Sequence, residues 1–392
     1  MASLFSRRTL LISTALLGLA PIVDAADPLK IGVIASYSGA YADYGKQIDG
    51  GMAVYLAETG GMLGGRPVTF VRKDTAGPAP DVAARFAKEL IIRDKVDLLV
   101  GFDFSPNAIA VAPVLTEAKV AAVVMNAASS AIPSRSPYIV RTSFTLAQVS
   151  APMATWALRQ GIKQVSTIVS DYGPGQDAEK AFQAAFKAGG GTIASSVRVP
   201  LSNPDFSAYV QRLKDEKPEA AFIFFPSGDQ PTAFMRNFRE RGLEAAGIKL
   251  LATGDATDDA FLAGQGDDPA GLITSHHYSF AHPSPRNAAY TGAFRKIVGD
   301  MRPSYMSVAA YDGLALIDSA LKKTGGKTEA GALVEAMKGQ TLDSPRGPIT
   351  IDPITGDIVQ TVYIRKAQRV DGQMVNVEFD AFPGVKDPGA TP

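Results

Sequence analysis

Short apolar runs alternate with longer amphipathic segments from residue 29 to residue 125. The runs predict strands because they are short and continuous, at 29–34, 68–73, 97–100 and 120–125. The longer segments predict helices at 45–59, at 80–93 and from Ser105 onward; in the first of them Ile48, Met52 and Leu56 share one helical face. This alternation is typical of βαβ units, and it favours a parallel sheet covered by helices on both faces.

The same alternation begins again after Ser143. Strands are predicted at 165–169, 192–199, 220–225 and 248–252, and helices at 147–160, 177–188, 206–215 and 232–241. The final third returns to helices at 285–300, 306–324 and 328–339, and then to short strands with turn residues at Asp352-Pro353 and Thr355-Gly356. It supplies too few strands for a third domain. The sequence therefore predicts two α/β halves, which the last segment completes.

The N-terminus has a different pattern. Arg7 and Arg8 precede an apolar run at 10–22, and the small residues Ala25 and Ala26 follow it. A charged segment, a short apolar run and a small-residue cleavage site are typical of a secretory signal peptide. The run is shorter than the roughly 20 residues that a membrane-spanning helix needs. We therefore expect cleavage after Ala25 and a periplasmic mature chain; the arginine pair also resembles a twin-arginine export signal.

The amino-acid composition excludes several classes of partner and site. The 392-residue chain has 39 basic and 39 acidic residues, so no net positive charge attracts nucleic acid. It has no cysteine, which excludes disulfides, thiolate metal sites and a cysteine nucleophile. It has only three histidines. We expect neither a metal nor a cofactor.

Short motifs follow the predicted strands in a recognisable order. Ser36-Tyr37-Ser38-Gly39 follows the first strand, and Lys73-Asp74-Thr75 ends the second. In the second half, Asp171-Tyr172-Gly173-Pro174-Gly175 follows a strand, and Ala310-Tyr311-Asp312-Gly313 falls in a late helix. The order and spacing of these motifs, which extend over nearly the whole mature chain, resemble those of the periplasmic solute-binding proteins of ABC importers, specifically the leucine/isoleucine/valine-binding family.

The resemblance implies two doubly wound α/β lobes that clamp a ligand in the cleft between them. The chain would cross between the lobes three times, near 142–147, 275–280 and 345–348. Lobe 1 is therefore expected to combine residues 26–143 with 279–346, and lobe 2 residues 144–278 with 347–392, after the signal peptide at 1–25. Open parallel sheets bind ligands beyond the carboxyl ends of their strands, so the site residues should follow strands.

The resemblance also implies a function. The protein would capture a small carboxylate-bearing ligand and deliver it to the membrane subunits of an ABC permease, as a monomer and without catalysis. Two ligand classes stay open: hydrophobic amino acids, which add an ammonium group, and aromatic or other organic acids. A secreted Rossmann-like enzyme is a distant alternative, because the glycines at 60–65 lack the strand-to-helix framing of a dinucleotide site and no GxSxG, P-loop or HExxH motif occurs. The binding lobe of a chemosensory receptor and a cytoplasmic regulator share this fold. The sequence shows no transmembrane or signalling segment, which argues against the receptor, and the predicted export argues against the regulator.

Candidate ligand contacts in lobe 1 follow two strands. Ser105, at the start of a helix, can offer its hydroxyl and nearby amides to a carboxylate, or it can cap its own helix. In the next loop Ala128, Ser129 and Ser130 align with the family segment that holds the ligand's carboxylate. An apolar or aromatic wall is expected from Tyr41, Tyr44 and Phe104.

Candidate contacts in lobe 2 are an aromatic ring and two carboxylates. Tyr172 resembles the family aromatic that covers the ligand when the lobes close. Asp255 is the first candidate for an ammonium partner and Asp229 the second, although the sequence around Asp255 departs from the family pattern. His276, His277 and His282 are expected at the hinge or outer surface. Joint metal binding is not expected, since adjacent side chains of an extended segment point to opposite sides.

Overall fold

The computed structural model describes residues 27–202 and 204–390. The predicted signal peptide and its cleavage site lie outside these residues. The described chain builds two separate sheets, each covered by helices on both faces. No helix among the described residues combines the length and the apolar character that a bilayer crossing needs.

The first sheet has the strand order β2-β3-β1-β4-β5-β6. All neighbouring pairs are parallel except β2 with β3. Four of the strands were predicted, and the short β2 and β6 were not. The bounds are β1 Leu29–Ala35, β2 Met62–Leu63, β3 Arg66–Asp74, β4 Leu98–Gly101, β5 Ala121–Val124 and β6 Ile139–Arg141.

The second sheet has the order β12-β13-β14-β11-β10-β9-β7-β8, with β15 paired to β14. Strands β8, β7, β9, β10 and β11 are parallel, and β14 joins β11 in the antiparallel sense. The bounds are β7 Gln164–Ser170, β8 Thr192–Val199, β9 Ala220–Phe224, β10 Lys249–Thr253, β11 Ile273–His276, β12 Thr341–Ser344, β13 Gly347–Ile351, β14 Ile358–Val370 and β15 Gln373–Val385.

The helices bury apolar stripes against the two sheets. In the first sheet Leu99 packs with the helices that follow β3 and β4, while Ile31 packs on the other face with the late helices. The second sheet is enclosed in the same way. The bounds are α1 Ala42–Glu58, α2 Pro80–Lys88, α3 Ser105–Ala118, α4 Leu146–Arg159, α5 Gly173–Ala188, α6 Ser207–Glu216, α7 Asp229–Glu240, α8 Asp259–Leu262, α9 Pro285–Val298, α10 Tyr305–Thr324 and α11 Ala330–Met337.

The C-terminal strands differ from the expectation of short strands. Strands β14 and β15 have 13 residues each and form one long hairpin. Asp371 and Gly372 connect them with φ angles of 50° and 78°. Two consecutive positive φ angles match the twist of a two-residue hairpin, and Asp-Gly is a favoured sequence for it. The turn residues were therefore present in the sequence but were overlooked.

The third crossing between the lobes, predicted near 345–348, also differs from the observed path of the chain. Residues 345–346 form the turn of a hairpin between β12 and β13, with Ser344 opposite Gly347. The chain therefore joins the edge of the second sheet through β12 and β13 and reaches its parallel strands along β14, whose first residues pair with β13 and whose later residues pair with β11. The exact division of the chain between two lobes stays a prediction.

A buried guanidinium connects the segments between the two sheets. Arg346 and Asp312 are each 1% exposed, and Asp312 Oδ2 accepts hydrogen bonds from Arg346 Nε at 3.0 Å and Nη2 at 2.7 Å. Arg346 also donates to the backbone oxygens of Thr142 and Ser143 and to Gln360 Oε1. One side chain thus holds α10, the connection after β6 and the start of β14.

We predict that Arg346→Met destabilises the protein by about 3–5 kcal/mol, because it leaves the buried Asp312 carboxylate without its cationic partner and with only the Ser344 hydroxyl as a donor. The matched control is Arg72→Met, since Arg72 pairs with Asp49 at 2.8 Å near the surface, where the two side chains are 43% and 30% exposed. That variant should lose no more than about 1 kcal/mol. Urea unfolding measures both, and equal losses would contradict the role assigned to Arg346.

Candidate functional site

A small cavity lies where the carboxyl ends of the two sheets face each other. Its volume is about 30 Å³, and residues from both halves and from α10 line it. The lining residues are Tyr44, Asp103, Phe104, Ser105, Asn126, Ala128, Phe144, Leu146, Tyr172, Pro174, Phe224, Pro226, Asp255 and Tyr305. The position agrees with the rule that open parallel sheets bind ligands beyond the carboxyl ends of their strands.

Ser105 links the two loops that follow β4 and β5. Its Oγ accepts hydrogen bonds from the amides of Ala128 at 3.1 Å and Ser129 at 3.0 Å. It does not cap its own helix, whose N-cap residue is Phe104. Because the oxygen accepts both bonds, the hydroxyl hydrogen stays available to an acceptor in the cavity.

The hydroxyls of Ser129 and Ser130 face other partners. Ser129 Oγ donates to Asp177 Oδ2 at 2.6 Å, and Ser130 Oγ donates to Asp387 Oδ1 at 3.0 Å. Neither serine lines the cavity. Asp177 lies on α5, so the first bond ties the loop after β5 to the second half, and burial raises the pKa of Asp177. The expected carboxylate contact from these two hydroxyls is therefore replaced by a contact between the halves.

Aromatic rings form one wall of the cavity. Tyr44 and Phe104 are stacked, with ring centroids 5.5 Å apart and planes 12° apart. Tyr41 packs edge-on against Phe104 at 4.7 Å and lies behind this wall rather than in it. Tyr44 Oη donates to the backbone oxygen of Ser227 at 2.9 Å, which connects α1 to the loop after β9. This wall is suited to a flat, apolar part of a ligand.

Tyr172 lies on the opposite side, as predicted from the loop after β7. It is half-buried, and its ring is stacked on Phe224 with centroids 6.1 Å apart. Both residues line the cavity. The structure therefore brings an aromatic residue of the second half to the cavity.

Asp255 lines the cavity, but its carboxylate is already hydrogen bonded. Oδ2 accepts from Thr253 Oγ1 at 2.8 Å, and Oδ1 accepts from Tyr305 Oη at 3.2 Å. Burial raises its pKa to about 6. Tyr305 Oη lies 2.8 Å from Ser227 Oγ as well, so the network joins α10 to two loops of the second half.

Asp229 does not reach the cavity. It is the first residue of α7, its side chain is exposed, and it is not among the lining residues. Gly228 directs the chain away with a φ of 125° before the helix begins. The placement of Asp229 at the ligand is therefore not supported by the structure.

Three polar lining residues were not predicted: Asp103, Asn126 and Tyr305. Asp103 and Asn126 each come directly after a strand of the first sheet, but neither was singled out. The chain leaves β4 through Gly101 and Phe102, whose φ angles of 102° and 61° turn Asp103 toward the cleft. A Cβ at Gly101 would lie 2.6 Å from Ile34 O, so this turn requires glycine. Tyr305 was missed because α10 reaches the cavity from a distant part of the chain.

His276 and His277 are fully buried beside the cavity, which agrees with a hinge position. Both rings pack against Phe144 and lie beside each other with centroids 4.4 Å apart, so the expectation that they point to opposite sides is wrong. His276 also packs on Tyr305 with ring centroids 4.3 Å apart. His276 Nε2 is 3.9 Å from Asp255 Oδ2, too far for a hydrogen bond. Burial, with the charges of Arg365 and Arg346, lowers the pKa of His276 well below its usual range. His282, in contrast, lies 2.8 Å from Glu378 Oε2.

The residues described between 27 and 390 contain no cluster of three acidic or histidine side chains arranged to hold a metal ion. A larger cavity of about 530 Å³ lies on the second half, lined by residues such as Trp156, Lys249 and Ile273. It borders the amino ends of β10 and β11, opposite to the ends where parallel sheets place ligands. The smaller cavity between the halves is therefore the candidate site.

Known proteins resemble the chain over nearly its whole described length. A family model described as periplasmic binding protein matches residues 28–373. The Leu/Ile/Val-binding protein homolog 6 of Brucella melitensis is 42% identical over 385 residues, which cover 98% of this chain and 99% of that protein.

Two solved structures from Rhodopseudomonas palustris are similar as well, and both are solute-binding proteins of ABC transporters. One, from strain BisB5 and in complex with 3,4-dihydroxy benzoic acid, is 49% identical with a TM-score of 0.88. The other, in complex with 4-hydroxybenzoate, is 43% identical with a TM-score of 0.89. Each match covers 93% of this chain and 99% of the other.

We predict that His276→Phe makes the free energy of unfolding less sensitive to acid. In the folded wild type His276 stays neutral, whereas in the unfolded chain it binds a proton below about pH 6.5, so the wild type loses up to about 1 kcal/mol per pH unit below that value. Phenylalanine removes this contribution. Urea unfolding of both proteins between pH 7 and pH 5 measures the difference, and parallel curves would contradict the neutral buried state of His276.

Proposed function

The chain belongs to the periplasmic binding protein family of ABC importers, and from this premise we propose that it captures a hydroxylated aromatic acid and delivers it to an ABC permease. The ligand would be a benzoate with one or two ring hydroxyls. The observation that carries this proposal is the cavity with a stacked aromatic wall at Tyr44 and Phe104 and an available hydroxyl hydrogen at Ser105.

The carboxylate of the ligand would bind at Ser105. Its hydroxyl can donate a charge-assisted hydrogen bond, and the site lies in the first turn of α3, where the helix dipole favours an anion. The aromatic ring would lie against Tyr44 and Phe104 and be covered by Tyr172 and Phe224. Apolar contacts on two faces suit a flat ring.

Capture would require the two halves to separate. A cavity of about 30 Å³ holds one water molecule rather than an aromatic ring. The hydrogen bonds from Tyr44 to Ser227 and from Ser129 to Asp177 cross between the halves and would break on opening. Closure around a ligand would then re-form them, as expected for a hinge mechanism in which the ligand stabilises the closed state.

A hydrophobic amino acid is the second candidate ligand, because the Brucella relative is named a Leu/Ile/Val-binding protein homolog. An ammonium group buried by closure needs an anionic partner. The expected partner, Asp255, already accepts hydrogen bonds on both carboxylate oxygens. The two structures bound to hydroxylated benzoates are at least as similar to this chain as the Brucella relative is, at 43% and 49% identity. These observations favour the aromatic acid.

We predict that isothermal titration calorimetry finds one site for 4-hydroxybenzoate and 3,4-dihydroxybenzoate, with leucine bound at least tenfold more weakly. Chromatography of the recovered ligand should show it unchanged, as expected for a receptor that binds without turnover. Saturable leucine binding with no binding of either benzoate would overturn the aromatic proposal. Conversion of the ligand would favour the enzyme alternative.

We also propose that the chain reaches the periplasm by means of residues 1–25. The family is periplasmic, and Arg7, Arg8 and the apolar run at 10–22 have the pattern of an export sequence. Expression of the full chain in a Gram-negative host should give periplasmic protein whose N-terminal sequence begins near Ala26. Soluble protein with an intact Met1 in the cytoplasm would contradict this prediction.

A further inference from the structure

Two hydrogen-bond acceptors at the cavity have no donor within the described chain. Asp103 is 3% exposed and Asn126 is 7% exposed, and both line the cavity. Asp103 Oδ1 and Asn126 Oδ1 are buried and make no hydrogen bond there. A buried acceptor without a donor is destabilising, so such atoms at a binding site call for a donor from the ligand.

The remaining polar atoms of Asp103 and Asn126 form hydrogen bonds that fix the orientation of both side chains. Asp103 Oδ2 accepts the Ser36 amide hydrogen at 2.7 Å, at the end of β1. Asn126 Nδ2 donates to the backbone oxygen of Asp103 at 2.7 Å. Because the amide nitrogen of Asn126 is used in this way, its oxygen must be the free atom. Both acceptors are therefore held in place before a ligand arrives.

The Asp103 carboxylate and the Ser105 hydroxyl face opposite neighbours of β4, whereas Asn126 lies in the loop after β5 and is joined to the backbone of Asp103. Asp103 reaches from the loop after β4 toward β1, whereas Ser105 reaches from the same loop toward the loop after β5. Strands β1 and β5 lie on either side of β4, and adjacent strands are about 4.8 Å apart. This separation suits a ligand with a carboxylate at one end and a hydrogen-bond donor at the other.

We propose that Asp103 and Asn126 determine the specificity for ring hydroxyls, by accepting hydrogen bonds from the hydroxyl group or groups opposite the ligand's carboxylate. The inference rests on the proposed function, since it assumes that an aromatic acid occupies the cavity. It assigns to the protein a preference for hydroxylated benzoates over benzoate itself. A site built to bond a hydroxyl discriminates strongly against an analogue that lacks it, because its buried polar groups are then unpaired.

The charge of Asp103 fits this role. Burial raises its pKa to about 6, so at pH 7.5 the carboxylate is mainly ionised and accepts strongly. Hydrogen bonds to charged groups are worth about 1.5–3 kcal/mol, which corresponds to at least tenfold in affinity. Asp255, the other acidic lining residue, is satisfied by Thr253 and Tyr305 and has no free acceptor of this kind.

The test is calorimetric titration of the mature protein and its Asp103→Asn variant with benzoate, 4-hydroxybenzoate and leucine at pH 7.5. Asparagine keeps one oxygen for the Ser36 amide and presents an NH₂ donor in place of Oδ1. We expect the wild type to bind 4-hydroxybenzoate at least tenfold more tightly than benzoate. The variant should lose at least tenfold for 4-hydroxybenzoate and less than about threefold for benzoate.

The matched control is Asp229→Asn, an exposed aspartate outside the cavity, which should change neither affinity. If Asp103→Asn fails to fold by circular dichroism, Asn126→Leu provides the same test, with the ratio of the two affinities expected to fall at least threefold.

The possible failures are distinguishable. If the wild type binds neither benzoate nor 4-hydroxybenzoate, the proposed function itself is wrong. If it binds both equally, or if the variant weakens both by the same factor, only the specificity assignment is overturned. If the Asp103→Asn variant binds leucine more weakly than the wild type does, these acceptors hold an ammonium group instead. That result also overturns the specificity assignment.

Discussion

The guanidinium of Arg346 is buried at the point where the two halves of the molecule join, and the arrangement of the cleft depends on it. It holds the Asp312 carboxylate on α10, the backbone after β6 and the side chain of Gln360 on β14. A second buried arginine, Arg141, forms a bidentate pair with Asp357 and donates to the backbone oxygens of Ala127 and Ser129. Two buried arginine–aspartate pairs thus hold the junction between the halves and the loop after β5.

These buried arginine contacts explain how a cleft between two separate sheets can keep a defined geometry. Arg141 holds the loop after β5 through the backbone oxygens of Ala127 and Ser129, and Ser105 ties the loop after β4 to it, so their polar groups are positioned without a ligand. In contrast, the contacts that cross the cleft are a few single hydrogen bonds, including Tyr44 to Ser227 and Ser129 to Asp177. Rigid loops with few crossing bonds are what a clamp needs, because opening then costs little while the binding geometry is kept.

Much of this arrangement could be predicted from the sequence. The alternation of short apolar runs with amphipathic segments predicted β1, β3, β4, β5 and their helices, because turn residues bounded each apolar run. The rule that ligands lie beyond strand ends, together with the family resemblance, selected Tyr44, Phe104, Ser105, Ala128, Tyr172 and Asp255, all of which line the cavity. Asp103 and Asn126 satisfied the same rule, yet nothing in a single sequence distinguishes a free acceptor from a satisfied one. Tyr305 and Arg346 depend on contacts between distant segments, which no local pattern encodes.

We propose that the cleft orients an aromatic acid with its carboxylate at Ser105 and its hydroxyl at Asp103. A crystal structure of the protein in complex with 4-hydroxybenzoate tests it most directly. We expect one ligand between the two halves, with a carboxylate oxygen within 3.2 Å of Ser105 Oγ and the phenolic oxygen within 3.2 Å of Asp103 Oδ1, as for ordinary hydrogen bonds of roughly that length. A ligand bound in the reverse orientation, or in the cavity near Trp156 and Lys249, would contradict the account.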